Sequence, residues 1–241
     1  MIPRYPIDGV VYPSAEDADR YERVGAWNPL TAGDALRATA ARFPDKAAIV
    51  NDDRRLTYAE FDAATEKLGA ALLGLGLRPG DRALFQMGSV SETAIALLGC
   101  AKAGIVPVCT LAQHRAIEIG EMAARAGPRA YFVQADFGAF DLVEFAKDMA
   151  AKHAIQHLIV ARAGGPGVEG CLAFEDLIDA QPLDQARRTL AGVEVDLSAR
   201  PLRPAARCSS SKSSHFSSTW RSEAIRFARA DCERSSQRSN R

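Results

Sequence analysis

No apolar run in this 241-residue sequence approaches the roughly 20 residues a membrane helix needs. The N-terminus, Met1-Ile-Pro-Arg-Tyr-Pro, lacks the charged-then-apolar pattern of a secretion signal, so a cytoplasmic protein without a membrane partner is expected. Paired cysteines are missing too. Cys100, Cys109, Cys171, Cys208 and Cys232 are an odd number with no close pair, and three sit among apolar neighbours, as reduced buried thiols do. Net charge is zero, so no whole-chain field points to nucleic acid, which is not an expected partner. There is no solenoid-type repeat.

What is present is ordinary for a globular protein: 47% apolar and 25% charged residues, enough to bury a sizeable core. The average hides a split. Residues 1–202 carry 21 basic and 27 acidic residues, whereas 203–241 carry 9 and 3. The last 39 residues hold eleven serines against four in all that precedes, and contain no Gly, Leu or Val. Such a segment cannot bury enough apolar surface to offset the entropy of ordering it, so a disordered tail is expected. It is either a genuine basic tail or the out-of-frame translation of a GC-rich gene.

Residues 1–30 read as an irregular lead-in, with a short helix beginning near Ser14. Thr31 caps a helix over Ala32–Arg42. Strand-like runs Ala47–Val50 and Leu56–Tyr58 flank a polar turn, and a helical period then covers Ala59–Leu75. Strands are expected at Arg82–Gln86, Ile105–Thr110, Ala130–Gln134 and His157–Ala161. Helices are expected at Ser91–Ala103, Ala116–Ala126, Leu142–His153 and Phe174–Ala180. Strands alternating with helices of roughly 10 to 15 residues predict an α/β fold, with βαβ units around a parallel sheet.

Local matches fall in order along this pattern. Leu56-Thr57-Tyr58-Ala59-Glu60-Phe61, Leu77-Arg78-Pro79-Gly80-Asp81 and Lys102-Ala103-Gly104-Ile105-Val106-Pro107-Val108 resemble segments of the AMP-forming acyl and aryl ligases. Arg20-Tyr21-Glu22-Arg23-Val24-Gly25-Ala26-Trp27 and His114-Arg115-Ala116-Ile117-Glu118-Ile119 resemble the branch that activates 2,3-dihydroxybenzoate and related aryl acids. The resemblance covers about residues 15–200 and implies an incomplete N-terminal ligase domain over 31–202. It also implies ATP and Mg²⁺ as family cofactors, an aryl or cyclic carboxylic acid as substrate, and CoA or a carrier protein as thiol acceptor.

The resemblance further implies a phosphate loop of the form S-G-G-T-T-G-x-P-K near residue 205. Ala205-Ala206-Arg207-Cys208-Ser209-Ser210-Ser211-Lys212 stands there instead, without the glycines that let a backbone wrap phosphate. The expected loop coincides with the composition break, which favours a frameshift or truncation over a real tail. A chain that is inactive by itself, with no tight binding of ATP or Mg²⁺, is therefore expected. The alternatives are an α/β module whose basic tail binds RNA or a protein, and a pseudoenzyme that still binds aryl acids.

No residue is assigned a catalytic, cofactor-binding or metal-ligating role. Ser209 and Lys212 match S-x-x-K without the rigid helix start that chemistry needs. His153 and His157 are four apart, but the helix is expected to end between them. Gly164-Gly165-Pro166-Gly167 lacks the Gly-Lys-Ser/Thr of a nucleotide loop and reads as a surface connection. His114 and Glu118 read as a solvated pair or cap on the side where an active site would lie. Tyr58 and Glu60 fix a strand-to-helix turn.

Overall fold

A computed structural model describes residues 14–26, 30–51, 54–165 and 167–193. The tail 203–241, Ser209 to Lys212 and Pro166 lie outside these described residues.

Helix starts follow the side-chain oxygens available to cap them. Ser14 opens α1 (Ala15–Arg23) and Thr31 opens α2 (Ala32–Arg42), accepting from the N–H groups of Asp17 and Asp34, each at 3.1 Å. Strands β1 (Ala47–Val50) and β2 (Arg55–Thr57) form an antiparallel hairpin separate from the main sheet. Thr57 then caps α3 (Tyr58–Gly74). Its hydroxyl accepts from Glu60 N–H at 3.2 Å, while the Glu60 carboxylate accepts from Thr57 N–H at 2.8 Å. This reciprocal box pulls Tyr58 into the helix, although its β-forming character suggests a strand end.

The remaining elements alternate as their period predicts. They are β3 (Arg82–Gln86), α4 (Ser91–Lys102), β4 (Val106–Cys109), α5 (Ala116–Ala126) and β5 (Ala130–Gln134). Next come α6 (Leu142–Lys152), β6 (His157–Ala161), β7 (Leu172–Ala173), α7 (Phe174–Asp179) and α8 (Leu183–Ala191). The pair β7 and α8 is additional to the elements the sequence suggests: one is two residues long, and the other buries only Ala186 and Leu190.

Five strands form one sheet in the order β4-β3-β5-β6-β7, all parallel. Period-2 alternation sends Ala83, Phe85, Phe132, Ile159 and Ala161 to one face. There they meet Leu68 and Leu72 of α3, Ile95 of α4, Phe174 and Leu177 of α7, and Leu190 of α8. Phe132 stacks on Phe85 at 4.7 Å and meets Phe174 edge-on at 6.4 Å. Leu84, Tyr131, Val133, Leu158 and Val160 point the other way, onto Ile119 of α5 and Leu142 and Met149 of α6. Both faces are covered, as a parallel sheet requires. Helices α3 and α4 cross closely at Gly69 and Gly99, where a Cβ on Gly69 would stand 2.8 Å from the Gly99 carbonyl oxygen. None of the described helices is long and apolar enough to cross a membrane.

Candidate functional site

In chain order the sheet runs outward from β3 to β4 and returns to β5 on the opposite side. Open α/β sheets place their ligands at such a reversal, here outside the carboxyl ends of β3 and β5. A glutamine ends each of these strands, and both are buried: Gln86 and Gln134.

Gln86 organises the β4–α5 loop. Its Nε2 donates to the carbonyls of His114 at 2.8 Å and Ala112 at 3.3 Å, and its Oε1 accepts from the Tyr131 hydroxyl. Burial pushes the Tyr131 phenol well above its usual range, so it stays a neutral donor. Thr110 anchors the same loop, its N–H and hydroxyl donating to the Phe85 carbonyl at 2.9 and 2.7 Å. Within the loop His114 Nδ1 accepts from Leu111 N–H at 3.3 Å. The Arg115 guanidinium donates to the Ala112 and His114 carbonyls at 3.0 and 2.8 Å, and lies 3.9 Å from the centre of the Phe140 ring.

Gln134 organises the other side. Its Oε1 accepts from Gly88 N–H at 3.0 Å and its Nε2 donates to Asp136 at 2.6 Å. Asp136 also accepts from Arg162 Nε at 2.9 Å. Burial opposes its ionisation, but the bonds from Gln134 and Arg162 prevail and hold its pKa below the usual value. Arg162 adopts a left-handed backbone, φ 59°, at the carboxyl end of β6. From there it reaches Glu92 at 3.4 Å, and Glu92 is met on its other oxygen by Arg54 at 3.3 Å.

These residues position loops. Gly88 N–H is taken by Gln134, and Ser91 N–H by Asn51 at 2.8 Å once its amide oxygen is turned toward α4. Two N–H groups around the start of α4 are thus engaged. Glu92 and Asp136 are neutralised by guanidinium groups. Among the described residues no three His, Cys, Asp or Glu side chains converge as a metal site.

A second polar cluster lies among the helices. Lys102 of α4 has a fully buried side chain and donates to Asp62 at 2.5 Å, with Glu66 at 3.5 Å. Glu66 accepts from Arg37 Nε on one oxygen and Arg187 Nε on the other, both at 2.7 Å. This network ties α2, α3, α4 and α8 together.

Residues singled out from the sequence are dispersed. Glu118 caps α5 by accepting from Arg115 N–H at 3.1 Å, and that bond with its own N–H holds its carboxyl below the usual range. His114 precedes the helix on the carboxyl edge. His153 is the C-cap of α6 and His157 opens β6, so the helix does end before both can share a face. Gly164, Gly165 and Gly167 have positive φ and no neighbour within 4 Å of an added Cβ, as a surface connection requires. Glu60 belongs to the Thr57 capping box. The glutamine pair and the Lys102 network are not among the residues singled out. The signal for the first was a lone amide closing each of two apolar strands, Arg82-Ala-Leu-Phe-Gln86 and Ala130-Tyr-Phe-Val-Gln134.

With this geometry in view, residues 36–208 match the family model described as AMP-binding enzyme. A salicyl-AMP ligase / salicyl-S-ArCP synthetase of Mycobacterium tuberculosis is 35% identical over 67% of this chain and 30% of its own length. A 2,3-dihydroxybenzoate-AMP ligase of Bacillus subtilis is 30% identical over 70% of this chain and 30% of its own length. The ligand-free structure of MbtA from Mycobacterium smegmatis superposes with a TM-score of 0.63 at 31% identity, covering 72% of this chain and 32% of that one. The chain thus spans about a third or less of the relatives it matches. Sequence match and fold agree: the chain belongs to the AMP-binding enzyme family of adenylate-forming ligases and corresponds to their N-terminal part.

Proposed function

We propose that this chain is the positioning portion of an aryl-acid ligase. The whole ligase would join a carboxylate to the α-phosphate of ATP, expel pyrophosphate, and pass the acyl group to a CoA or carrier-protein thiol. Charge develops on the transferring phosphoryl, so that step needs backbone N–H donors, Mg²⁺ and a cation around it. In this reading the described residues shape the carboxyl edge of one sheet, and the groups that hold the triphosphate come from elsewhere in a complete ligase.

The observation that carries the reading is the extent of the family match. It continues to residue 208, into the segment where the Gly/Ser/Thr loop is expected and the composition turns Ser- and Arg-rich. On this reading residues 203–241 replace a family segment through a shifted frame. The acid is inferred from relatives named for salicylate and 2,3-dihydroxybenzoate.

ATP–pyrophosphate exchange with salicylate or 2,3-dihydroxybenzoate tests the assignment. The chain alone is expected to stay at background. Residues 1–202 fused to the following two thirds of the salicyl-AMP ligase are expected to exchange well above it. Exchange by the chain alone would overturn the division of labour. A soluble, folded fusion with no activity would overturn the assignment to an aryl-acid ligase.

A further inference from the structure

Helix α8 buries only Ala186 and Leu190, and no side chain caps its first turn. A cleft of 680 Å³ runs along its flank toward α2, and another of 490 Å³ along its flank toward α7 and the end of α3. A helix of nine residues is marginal in water by itself, so its hold on α3 decides whether it stays formed. That hold centres on Arg187, whose Nε donates to Oε2 of the buried Glu66 at 2.7 Å. We propose that α8 is an acid-released strap: it stays docked on α3 while the Glu66 carboxylate is charged, and lifts as a unit when that carboxylate takes up a proton.

Geometry decides where the proton goes. Oε1 of Glu66 faces two cations, Arg37 Nε at 2.7 Å and Lys102 Nζ at 3.5 Å, whereas Oε2 faces Arg187. A proton costs least at Oε2, where it presents an O–H to a guanidinium that needs an acceptor. Arg187 then has no close replacement, because Asp62 stands 3.6 Å away and its other oxygen is held by Lys102 at 2.5 Å. Arg37, by contrast, keeps Asp34 at 2.9 Å. The break therefore falls on α8 and leaves α2 in place.

The charged groups around Glu66 set the pH window. Arg37 and Asp34 come from α2, Asp62 from α3 itself, Lys102 from α4, and Arg187 with Asp184 from α8. Burial opposes ionisation of Glu66, but the bonds from Arg37 and Arg187 prevail and hold its pKa below 4.5. Lifting α8 removes one of these guanidiniums, so a charged Glu66 and a docked α8 stabilise each other. A carboxyl with a depressed docked pKa gives stability that is complete above the ordinary value and is lost as pH falls through the docked one. The strap is therefore closed near neutrality and opens below pH 4.5. Leu190 packs over Gly69, its Cδ2 3.5 Å from the position of an added Cβ, so opening uncovers the α3–α4 crossing.

Hydrogen exchange on the full chain, read as protection factors from neutrality to below pH 4.5, tests the strap. Protection of the α8 amides is expected to fall by up to about tenfold per pH unit below that value while β3 and β5 keep theirs. Glu66→Gln and Arg187→Met are each expected to bring α8 to its acid level at neutral pH and to remove its pH dependence. Protection of β5 reports that each variant is folded, and Arg187→Met serves where Glu66→Gln does not fold. Loss of α8 protection only together with β3 and β5 would overturn the proposal in favour of global acid unfolding. An α8 already unprotected at neutral pH would show that no strap is closed. A pH-dependent loss that survives in a folded variant would overturn it in favour of another carboxylate, Asp62 or Asp184.

Discussion

Glu66 receives a guanidinium on each carboxylate oxygen, and the Lys102 ammonium stands behind it. Burial opposes its ionisation, yet the bonds from Arg37 and Arg187 and the Lys102 charge prevail, so its pKa lies below the ordinary carboxylate value. A folded pKa below the unfolded one gives stability that is complete above the unfolded value, 4.5, and is lost as pH falls through the folded value. Glu66→Gln is therefore expected to flatten the acid limb of the stability curve in urea titrations below pH 4.5. An unchanged limb would assign acid sensitivity to other carboxylates. For Lys102, burial is the largest influence and lowers its pKa against the opposing pull of Asp62 and Glu66. Replacing it with methionine takes the close partner from the buried Asp62 carboxylate, which keeps only Arg187 at 3.6 Å, while Glu66 keeps both guanidinium groups; urea unfolding is expected to show a loss of about 3–5 kcal/mol. Little of this was legible beforehand. Asp62 and Glu66 have the i, i+4 spacing of an ordinary solvated helix face, and the lysine that pairs with them is 40 and 36 residues away, respectively.

Elements were far more legible than their partnerships, because capping and period are local. Thr31, Thr57, the run Ala130–Gln134 and the spacing in α3 each declare an element within a few residues. Helix α8 did not declare itself, since its hold on α3 comes from Arg187 and from two small contacts that no periodicity emphasises. The α3–α4 crossing makes a specific prediction. Gly69→Ala gains helix propensity but drives a Cβ to 2.8 Å from a backbone oxygen, so a net loss of about 1–3 kcal/mol is expected. Gly74→Ala, with nothing within 4 Å, is expected to gain about 0.4–1 kcal/mol. Equal effects in thermal melts would mean the crossing relaxes freely. On the carboxyl edge, Gln86→Leu leaves the Tyr131 hydroxyl and two loop carbonyls without this partner. A loss of about 1–3 kcal/mol is expected, with faster amide exchange at Thr110 and His114. Protection retained at both amides would show that Thr110 and Arg115 suffice to hold the loop.

For the whole molecule, the α/β class and the parallel sheet followed from alternation, whereas the sheet order did not. Nothing in the sequence of β3, β4 and β5 says that the chain turns back after β4; that is decided by which faces the helices can cover. The consequence is a carboxyl edge whose polar groups are satisfied internally while its rim stays apolar. Leu111, Ile117 and Phe140 are 61%, 79% and 41% exposed around the loop that carries Arg115. An exposed apolar rim of this kind is a surface prone to association. Left uncovered, it drives association by apolar contact, so the purified chain is expected to elute on size exclusion as concentration-dependent oligomers. Because the attraction is hydrophobic, raising salt should strengthen it, whereas contacts of the basic tail with acidic surfaces would weaken. Leu111→Lys with Ile117→Lys, both solvent-facing, should shift the chain toward monomer without lowering its melting temperature. Oligomers that persist in that variant and dissolve in salt would move the cause from this rim to the charged segment 203–241.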